Sequence, residues 1–130
     1  MAHILVIDDE SVLLDLISRT LRKDGHTVTG ISDPMAVMDL CGAGMPSIDL
    51  LLTDVEMRPI NGFELVRRLT KAGFNRPVIF MSGYPDLACA MACSADRYAF
   101  IEKPFTIGQL RAVVSGMLAW RAPQCDAGRD

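Results

Sequence analysis

Long apolar runs, basic clusters and paired cysteines are all missing from this chain of 130 residues. No apolar run approaches the roughly 20 residues that a membrane-spanning helix needs. The apolar run near the N-terminus is too short for a signal peptide, and acids follow it at once. Lysine and arginine never run beyond a pair and the net charge is −3, which argues against a nucleic-acid groove binder. These absences favour a cytoplasmic protein that does not bind DNA by itself.

The cysteines show no C-x-x-C pair and no neighbouring histidine at zinc-finger spacing. Reduced thiols in a cytoplasmic protein are therefore the favoured interpretation. Two of the four lie four residues apart on a predicted helix, where packing explains them better than a metal site does. The four residues are Cys41, Cys89, Cys93 and Cys125.

Half of the residues are hydrophobic, which is enough for one sizeable core in a chain of this length. We expect one domain over residues 1–120 and a polar tail over residues 121–130, where no periodicity is present. Neither internal repeats nor low-complexity segments occur.

Short apolar strands alternate with amphipathic helices along the chain. The predicted strands are residues 3–7, 26–31, 48–54, 78–81 and 98–102. The first predicted helix is capped by Ser11 and stops at Gly25, and the second runs from Asp33 to about Cys41. The third covers residues 62–72, the fourth starts at Pro85, and the fifth follows a Thr106/Gln109 capping box. This alternation predicts a doubly wound α/β fold with one parallel sheet, for which 2-1-3-4-5 is one of two common strand orders.

In that order, the ends of strands 1, 3, 4 and 5 meet at the carboxyl edge of the sheet, where such folds bind ligands. The polar residues that follow these strands are Asp8 and Asp9, Asp54, Ser82 and Lys103. The buried strand 48–54 ends on Asp54 alone. We therefore expect one polar site assembled from four separate strand ends.

Three neighbouring carboxylates repel one another by roughly 1 kcal/mol per pair in water and by about 4 in a partly buried site. One lysine cannot neutralise them, whereas a site of oxygen ligands suits Mg²⁺. A carboxylate oxygen can also attack phosphorus, provided that charge on the phosphoryl oxygens is neutralised. Asp54 is thus interpreted as a phosphate acceptor, with Lys103 and Ser82 contacting the phosphoryl group. The added charge would draw both toward Asp54 and so change the surface nearby.

Five motifs in combination are specific over residues 3–118, and through them the chain resembles the response-regulator receiver domains of bacterial two-component signalling, the CheY-like family. The motifs are Val6-Ile7-Asp8-Asp9-Glu10, Leu52-Thr53-Asp54-Val55, Asn61-Gly62-Phe63-Glu64-Leu65, Phe80-Met81-Ser82-Gly83 and Glu102-Lys103-Pro104-Phe105. The resemblance implies a flavodoxin-like (βα)5 fold. It also implies that Asp54 accepts phosphate from a histidine kinase or a histidine phosphotransfer protein.

The resemblance further implies a Mg²⁺ site. Asp9, Asp54 and the backbone carbonyl of Glu56 would hold the ion, and Asp8 would act through water. The family supports no enzymatic role beyond self-phosphorylation and self-dephosphorylation at Asp54.

By the same resemblance, Lys103 and Ser82 take the family's lysine and hydroxyl roles, and Phe100 stands at the position of its rotameric aromatic switch. The Lys103-Pro104 peptide bond is expected to be cis. Ser82 would take part in the switch together with Phe100.

The chain departs from the family pattern close to Asp54. Its proline comes one place late, in Met57-Arg58-Pro59, so the loop geometry is expected to differ. The segment between Ser82 and Lys103 is about one residue shorter than is usual in the family. Glu56 and Tyr84 lie two residues beyond Asp54 and Ser82, and we expect them to tune the lifetime of the phosphoryl group.

The predicted fourth helix contains no charged residue over residues 87–93. A helix that is apolar all round is normally covered. We therefore expect this helix, with the fifth strand and fifth helix, to form the surface for a downstream protein target or a homodimer. The alternative is simple mobility, because its small side chains provide few anchoring contacts.

Other functions stay open at this point. The chain could act alone, or it could be a receiver from a hybrid histidine kinase or a longer regulator. A Mg²⁺-dependent phosphohydrolase also uses a strand-end aspartate, but it needs a second aspartate two residues later, where this chain has Glu56. A flavin-binding domain is disfavoured because no phosphate-binding loop rich in small residues follows the first strand.

Overall fold

The computed structural model of the chain describes residues 2–42, 47–84 and 97–120. Its elements are β1 (His3–Ile7), α1 (Ser11–Lys23), β2 (Thr27–Ile31), α2 (Pro34–Gly42), β3 (Leu50–Asp54), α3 (Gly62–Lys71), β4 (Val78–Ser82), β5 (Tyr98–Glu102) and α4 (Ile107–Leu118). The helix predicted from Pro85 and its two cysteines lie outside the described residues, as does the tail 121–130. Of the surface assigned to that helix, the structure describes the parts formed by β5 and α4.

All four strand pairings are parallel, and the strand order is β2-β1-β3-β4-β5. The predicted sheet and its order are therefore confirmed. Within the described ranges, no helix combines the length and the hydrophobicity that crossing a bilayer requires.

The central strand β3 is buried at all five positions, because helices cover both faces of the sheet. Its alternate residues enter two separate cores. Leu51 belongs to a core that includes Leu65 and Leu69 of α3. Leu50 and Leu52 belong to a second core that α1 and α4 complete. The two cores hold the carboxyl end of β3, and hence Asp54, in a fixed position.

Three predicted element starts were wrong. Strand β2 begins at Thr27 rather than at residue 26, because the His26 N–H still donates to the Leu21 carbonyl of α1 over 3.1 Å. Helix α1 begins at Ser11 itself, so Glu10 takes the N-cap position and makes no side-chain cap. The backbone N–H of Glu10 donates to the Asp8 carboxylate over 2.9 Å, which turns the chain one residue earlier than expected. Strand β3 begins at Leu50 rather than at residue 48, because the side chain of Asp49 binds the first residue of β1: its carboxylate accepts from the His3 N–H over 2.8 Å.

The other helix signals act as predicted. Gly25 has φ +96° and follows the end of α1. The capping box at α4 is complete: Thr106 Oγ1 accepts from the Gln109 N–H over 3.0 Å, and Gln109 Oε1 accepts from the Thr106 N–H over 2.8 Å. Both caps satisfy backbone groups that a helix end otherwise leaves unpaired.

Helix α3 begins almost in contact with the end of β3. A Cβ on Gly62 would lie 2.3 Å from the backbone oxygen of Asp54 and 3.1 Å from Val55 Cα. These are backbone atoms, so no side-chain rotation can relieve the contact. Gly62 also donates its N–H to the Val55 carbonyl over 2.9 Å. The close approach of α3 to Asp54 therefore requires glycine at this position.

We expect Gly62→Ala to lower the free energy of unfolding by about 1 to 3 kcal/mol, the usual cost of overpacking a close contact. Urea unfolding measures this change. Gly116→Ala is the matched control, because a Cβ there meets nothing within 4 Å and alanine is the better helix former. Equal stability of Gly62→Ala and the unsubstituted chain would contradict this account of the contact.

Candidate functional site

Five polar residues meet at the carboxyl edge of the sheet, as predicted. Asp8 and Asp9 follow β1, Asp54 and Ser82 are the last residues of β3 and β4, and Lys103 follows β5. Each of Asp8, Asp9 and Asp54 offers a carboxylate oxygen, and these oxygens all lie within 4.8 Å of one another. Asp8 and Asp54 are buried and Asp9 is exposed, so the cluster opens toward solvent on the Asp9 side.

Lys103 is the cation of this cluster. Its Nζ lies 3.0 Å from Asp54 Oδ1 and 3.4 Å from Asp8 Oδ2. The contact with Asp54 is an ion pair at Oδ1, a buried oxygen for which the described residues supply no other polar partner. Lys103 thus balances part of the negative charge of the three carboxylates. Its peptide bond to Pro104 is cis, as the resemblance implied, and the Arg58-Pro59 bond is cis as well.

Burial sets the ionisation of these groups. It raises the pKa of Asp54 from 3.8 to about 6; Lys103 opposes this rise, whereas Asp8 and Glu56 reinforce it. Burial likewise raises the pKa of Asp8, against the Glu10 N–H and Lys103. For Lys103, burial would lower the pKa, but the contacts with Asp54 and Asp8 outweigh it and leave the pKa raised. Asp54 is therefore mostly ionised at neutral pH, at a cost in stability.

The donor set fits a hard divalent cation. Three carboxylates face one ammonium group, so negative charge is in excess. Oxygen ligands with excess negative charge, open to water on one side, are the environment that Mg²⁺ prefers.

Ser82 is placed at the site, but its hydroxyl faces Glu56 rather than Asp54. Ser82 Oγ donates to Glu56 Oε2 over 2.7 Å and accepts from the Tyr84 N–H over 2.9 Å. The second oxygen of Glu56 accepts from the Gly83 N–H over 3.2 Å. The Ser82 carbonyl accepts from the Lys103 N–H over 2.8 Å. Ser82 is thus hydrogen-bonded both to Glu56, after β3, and to Lys103, after β5.

This use of the Glu56 side chain was not predicted from the sequence, which indicated only a backbone role at the metal and a tuning role through proximity. The available signal was an acid two residues after the acceptor aspartate, in a loop facing a strand-end serine. Tyr84 contacts Ser82 through its backbone N–H, and the residue is 66% exposed.

Phe100 lies in an aromatic cluster on the α3 side of the sheet. Its ring stacks on Phe80, with centroids 5.2 Å apart and an interplanar angle of 20°, and it lies 6.5 Å from the ring of Phe63. Phe80 is the second residue before Ser82 on β4. The structure therefore places Phe100 next to the strand that carries the hydroxyl, and its ring packs inward.

The raised pKa of Asp54 yields a stability prediction. A carboxyl whose pKa is higher folded than unfolded destabilises the fold as pH rises from about 4 to 6, and the full cost is present above 6. Asp54→Asn is expected to stabilise the chain at pH 7.5 by roughly 2 to 3 kcal/mol, because a pKa difference of one corresponds to about 1.4 kcal/mol. The gain should shrink as the pH falls to 4.

Urea unfolding in EDTA at several pH values measures this gain. Asp39→Asn removes an exposed acid on α2 and serves as the control, with little change expected. A gain for Asp54→Asn that is the same at pH 4 and pH 7.5 would contradict the origin assigned to it.

Comparison with known proteins agrees with this geometry. Among curated relatives, the transcriptional regulatory protein FixJ of Bradyrhizobium diazoefficiens is 29% identical over 93% of this chain and 58% of its own length. The sensor kinase CckA of Brucella abortus is 30% identical over 90% of this chain and 12% of its own length. The chain thus spans 12% to 58% of the length of these two relatives.

Solved structures give the same result. A response regulator receiver protein from Sinorhizobium medicae WSM419 has a TM-score of 0.77 and 31% identity, over 90% of this chain and 94% of that chain. The receiver domain of the hybrid histidine kinase CckA has a TM-score of 0.75 and 28% identity, over 89% of this chain and 98% of that chain. Residues 4–115 match the family model of the response regulator receiver domain. The chain belongs to the response regulator receiver domain family.

Proposed function

We propose that this chain is a cytoplasmic phosphoacceptor of a two-component phosphorelay, which receives a phosphoryl group on Asp54 from a histidine kinase or a histidine phosphotransfer protein. The observation that carries the proposal is the setting of Asp54: a buried carboxylate at the end of β3, paired with Lys103 and within 4.8 Å of the Asp8 and Asp9 carboxylates. It transmits the signal through protein contacts. The reaction at Asp54 is its only chemistry.

The transfer step is a displacement at phosphorus. A carboxylate oxygen of Asp54 forms the new P–O bond while the P–N bond to the donor histidine breaks, and the imidazole nitrogen keeps the electron pair and takes up a proton. Asp54 must be ionised to attack, and its pKa of about 6 leaves it mostly ionised at neutral pH. In self-dephosphorylation, water attacks the phosphorus and the P–O bond to Asp54 breaks. Inorganic phosphate is released, and Asp54 returns to a carboxylate.

Lys103 already contacts Asp54, so it needs little movement to contact a phosphoryl oxygen there. Asp9, Asp54 and the Glu56 backbone carbonyl would hold Mg²⁺, with Asp8 acting through water. When bound, Mg²⁺ neutralises charge on the phosphoryl oxygens. Ser82 supplies a hydroxyl donor, and Phe100 responds to its movement through Phe80, which it stacks on.

The relatives include both a regulator longer than this chain and a sensor kinase. Two alternatives are therefore proposed together: the chain acts alone, or it is the receiver of a hybrid kinase or of a longer regulator. The downstream target and any homodimer are assigned to the surface formed by the predicted fourth helix, β5 and α4. Glu56 and Tyr84 are assigned to the lifetime of the phosphoryl group.

Incubation with acetyl phosphate and Mg²⁺ is expected to add one phosphoryl group, seen by intact mass. Asp54→Asn should abolish the modification, because the nucleophile is lost, while Asp39→Asn on exposed α2 should keep it. Release of inorganic phosphate from many phosphate esters would instead support a phosphohydrolase. Modification that persists in Asp54→Asn would contradict the proposal.

The phosphodonor protein must seat beside Asp54, and an apolar groove borders the site there. The groove has a volume of about 400 Å³ and lies between α1 and the start of α4. Two side chains one helical turn apart line it from α1 and are exposed to solvent: Val12 at 77% and Leu16 at 48%. Lys103 also lines the groove and contacts Asp54. We assign the groove to the phosphodonor protein, since a protein bound there would bring its histidine to Asp54.

Leu16→Glu is expected to slow phosphotransfer roughly tenfold or more, because a buried unpaired carboxylate costs well over the 1.4 kcal/mol that a tenfold change represents. The assay uses whichever histidine kinase phosphorylates the unsubstituted chain in a profiling panel. Met35→Glu, at an exposed apolar residue on α2, is the matched control. Equal slowing in the two variants would contradict the assignment of the groove.

A further inference from the structure

The two donors at the end of β4 are both occupied by the same acid. Glu56 Oε2 accepts from the Ser82 hydroxyl over 2.7 Å, and Glu56 Oε1 accepts from the Gly83 N–H over 3.2 Å. A carboxylate that accepts through both oxygens resembles a phosphoryl group in charge and in hydrogen bonding. Glu56 therefore occupies the donors that a phosphoryl group on Asp54 needs.

The Ser82 hydroxyl cannot serve both acceptors. A hydroxyl carries one proton, and here that proton goes to Glu56 while the oxygen accepts from the Tyr84 N–H. Ser82 is only 2% exposed, so water has little access to its hydroxyl and cannot readily replace either partner. Phosphorylation of Asp54 must then break the Ser82–Glu56 bond before Ser82 can donate to the phosphoryl group.

Charge acts in the same direction. Glu56 is close enough to contribute to the raised pKa of Asp54, and a phosphoryl group adds about −1.5 to −2 charges beside it. Repulsion between two anions favours a state in which the Glu56 carboxylate has moved away. Glu56 is exposed and lies in the loop between β3 and α3, so its side chain can turn into water without disturbing the core.

We propose that Glu56 is an intramolecular latch that holds Ser82 and Gly83 in the resting chain and opens when Asp54 is phosphorylated. The inference rests on the proposed function of Asp54. It assigns Glu56 a regulatory role. The acid competes with the phosphoryl group for the Ser82 hydroxyl and the Gly83 N–H, and so slows phosphorylation of Asp54 and shortens the lifetime of the phosphorylated state.

The first test is kinetic. With acetyl phosphate and Mg²⁺, Glu56→Ala is expected to raise the rate constant of Asp54 phosphorylation roughly tenfold, a change of about 1.4 kcal/mol, which is close to the worth of one hydrogen bond to a charged group. Glu102→Gln is the control for lost charge, because Glu102 is an exposed acid paired with Ser82 in the ladder of β4 and β5. Its rate constant should stay within about twofold of the unsubstituted chain, since exposed charges are screened.

A double-substitution cycle separates the latch from the loss of charge at position 56. The gain from Glu56→Ala should be smaller in a Ser82→Ala background, where no hydroxyl remains to be released. A gain as large in that background as in the unsubstituted chain would overturn the latch, and so would the absence of any gain in the unsubstituted chain.

The second test observes the latch directly, through the Gly83 amide in ¹H–¹⁵N spectra. Without ligand, the amide shift should differ between Glu56→Ala and the unsubstituted chain, because only the latter has the bond to Glu56. With beryllofluoride and Mg²⁺ as the phosphoryl mimic, the two shifts should converge. An equal difference in both states would show that the bond never opens.

The two proposals fail in different ways. If the unsubstituted chain takes up no phosphate and shows no spectral change with beryllofluoride, both the phosphoacceptor role and the latch are wrong. If it is phosphorylated on Asp54 but Glu56→Ala changes neither the rate constant nor the Gly83 amide, only the latch is wrong.

Discussion

The contact between Lys103 and the two buried carboxylates of Asp8 and Asp54 is the interaction on which the site depends. Asp54 ends β3 and Asp8 follows the neighbouring strand β1, and burial is the largest cause that raises the pKa of both. A single ammonium group, 3.0 and 3.4 Å from their oxygens, opposes that rise. It does so only in part, because an ion pair at one oxygen cannot replace the water that two carboxylates lose. The remaining excess of negative charge is the environment that a hard divalent cation prefers.

The rest of the fold holds that imbalance in place. Strand β3 is buried on both faces, so Asp54 cannot retreat into water without disrupting two cores. Helix α3 begins at Gly62, against the carbonyl of Asp54, and fixes the loop that carries Glu56. The aromatic stack of Phe80 and Phe100 joins β4 to β5 immediately before both strands reach the site. The sheet thus carries Asp54 and Ser82 at strand ends, and the adjoining loops carry Asp8, Asp9 and Lys103.

Much of this could be predicted from the sequence, because the relevant signals are local or follow from topology. A buried apolar run predicts β3, the alternation of strands and helices predicts the parallel sheet, and the sheet places Asp54 and Lys103 at one edge. The predicted cap at Ser11 was wrong because Asp8 binds the backbone of Glu10 and turns the chain sooner. The Ser82–Glu56 bond joins residues 26 apart in sequence, and no periodicity in either segment indicates that their side chains meet.

The hydrogen bond from the Lys103 N–H to the Ser82 carbonyl couples the ends of β4 and β5. This bond of 2.8 Å links the ends of β4 and β5, and it joins Lys103, which contacts Asp54, to Ser82, whose hydroxyl donates to Glu56. A shift of one backbone is therefore passed directly to the other. Under the proposed function, the responses of Lys103 and Ser82 to a phosphoryl group on Asp54 would therefore be coupled through the backbone. A ligand that moved only one of the two residues would have to strain this bond, so the geometry favours a group that contacts both.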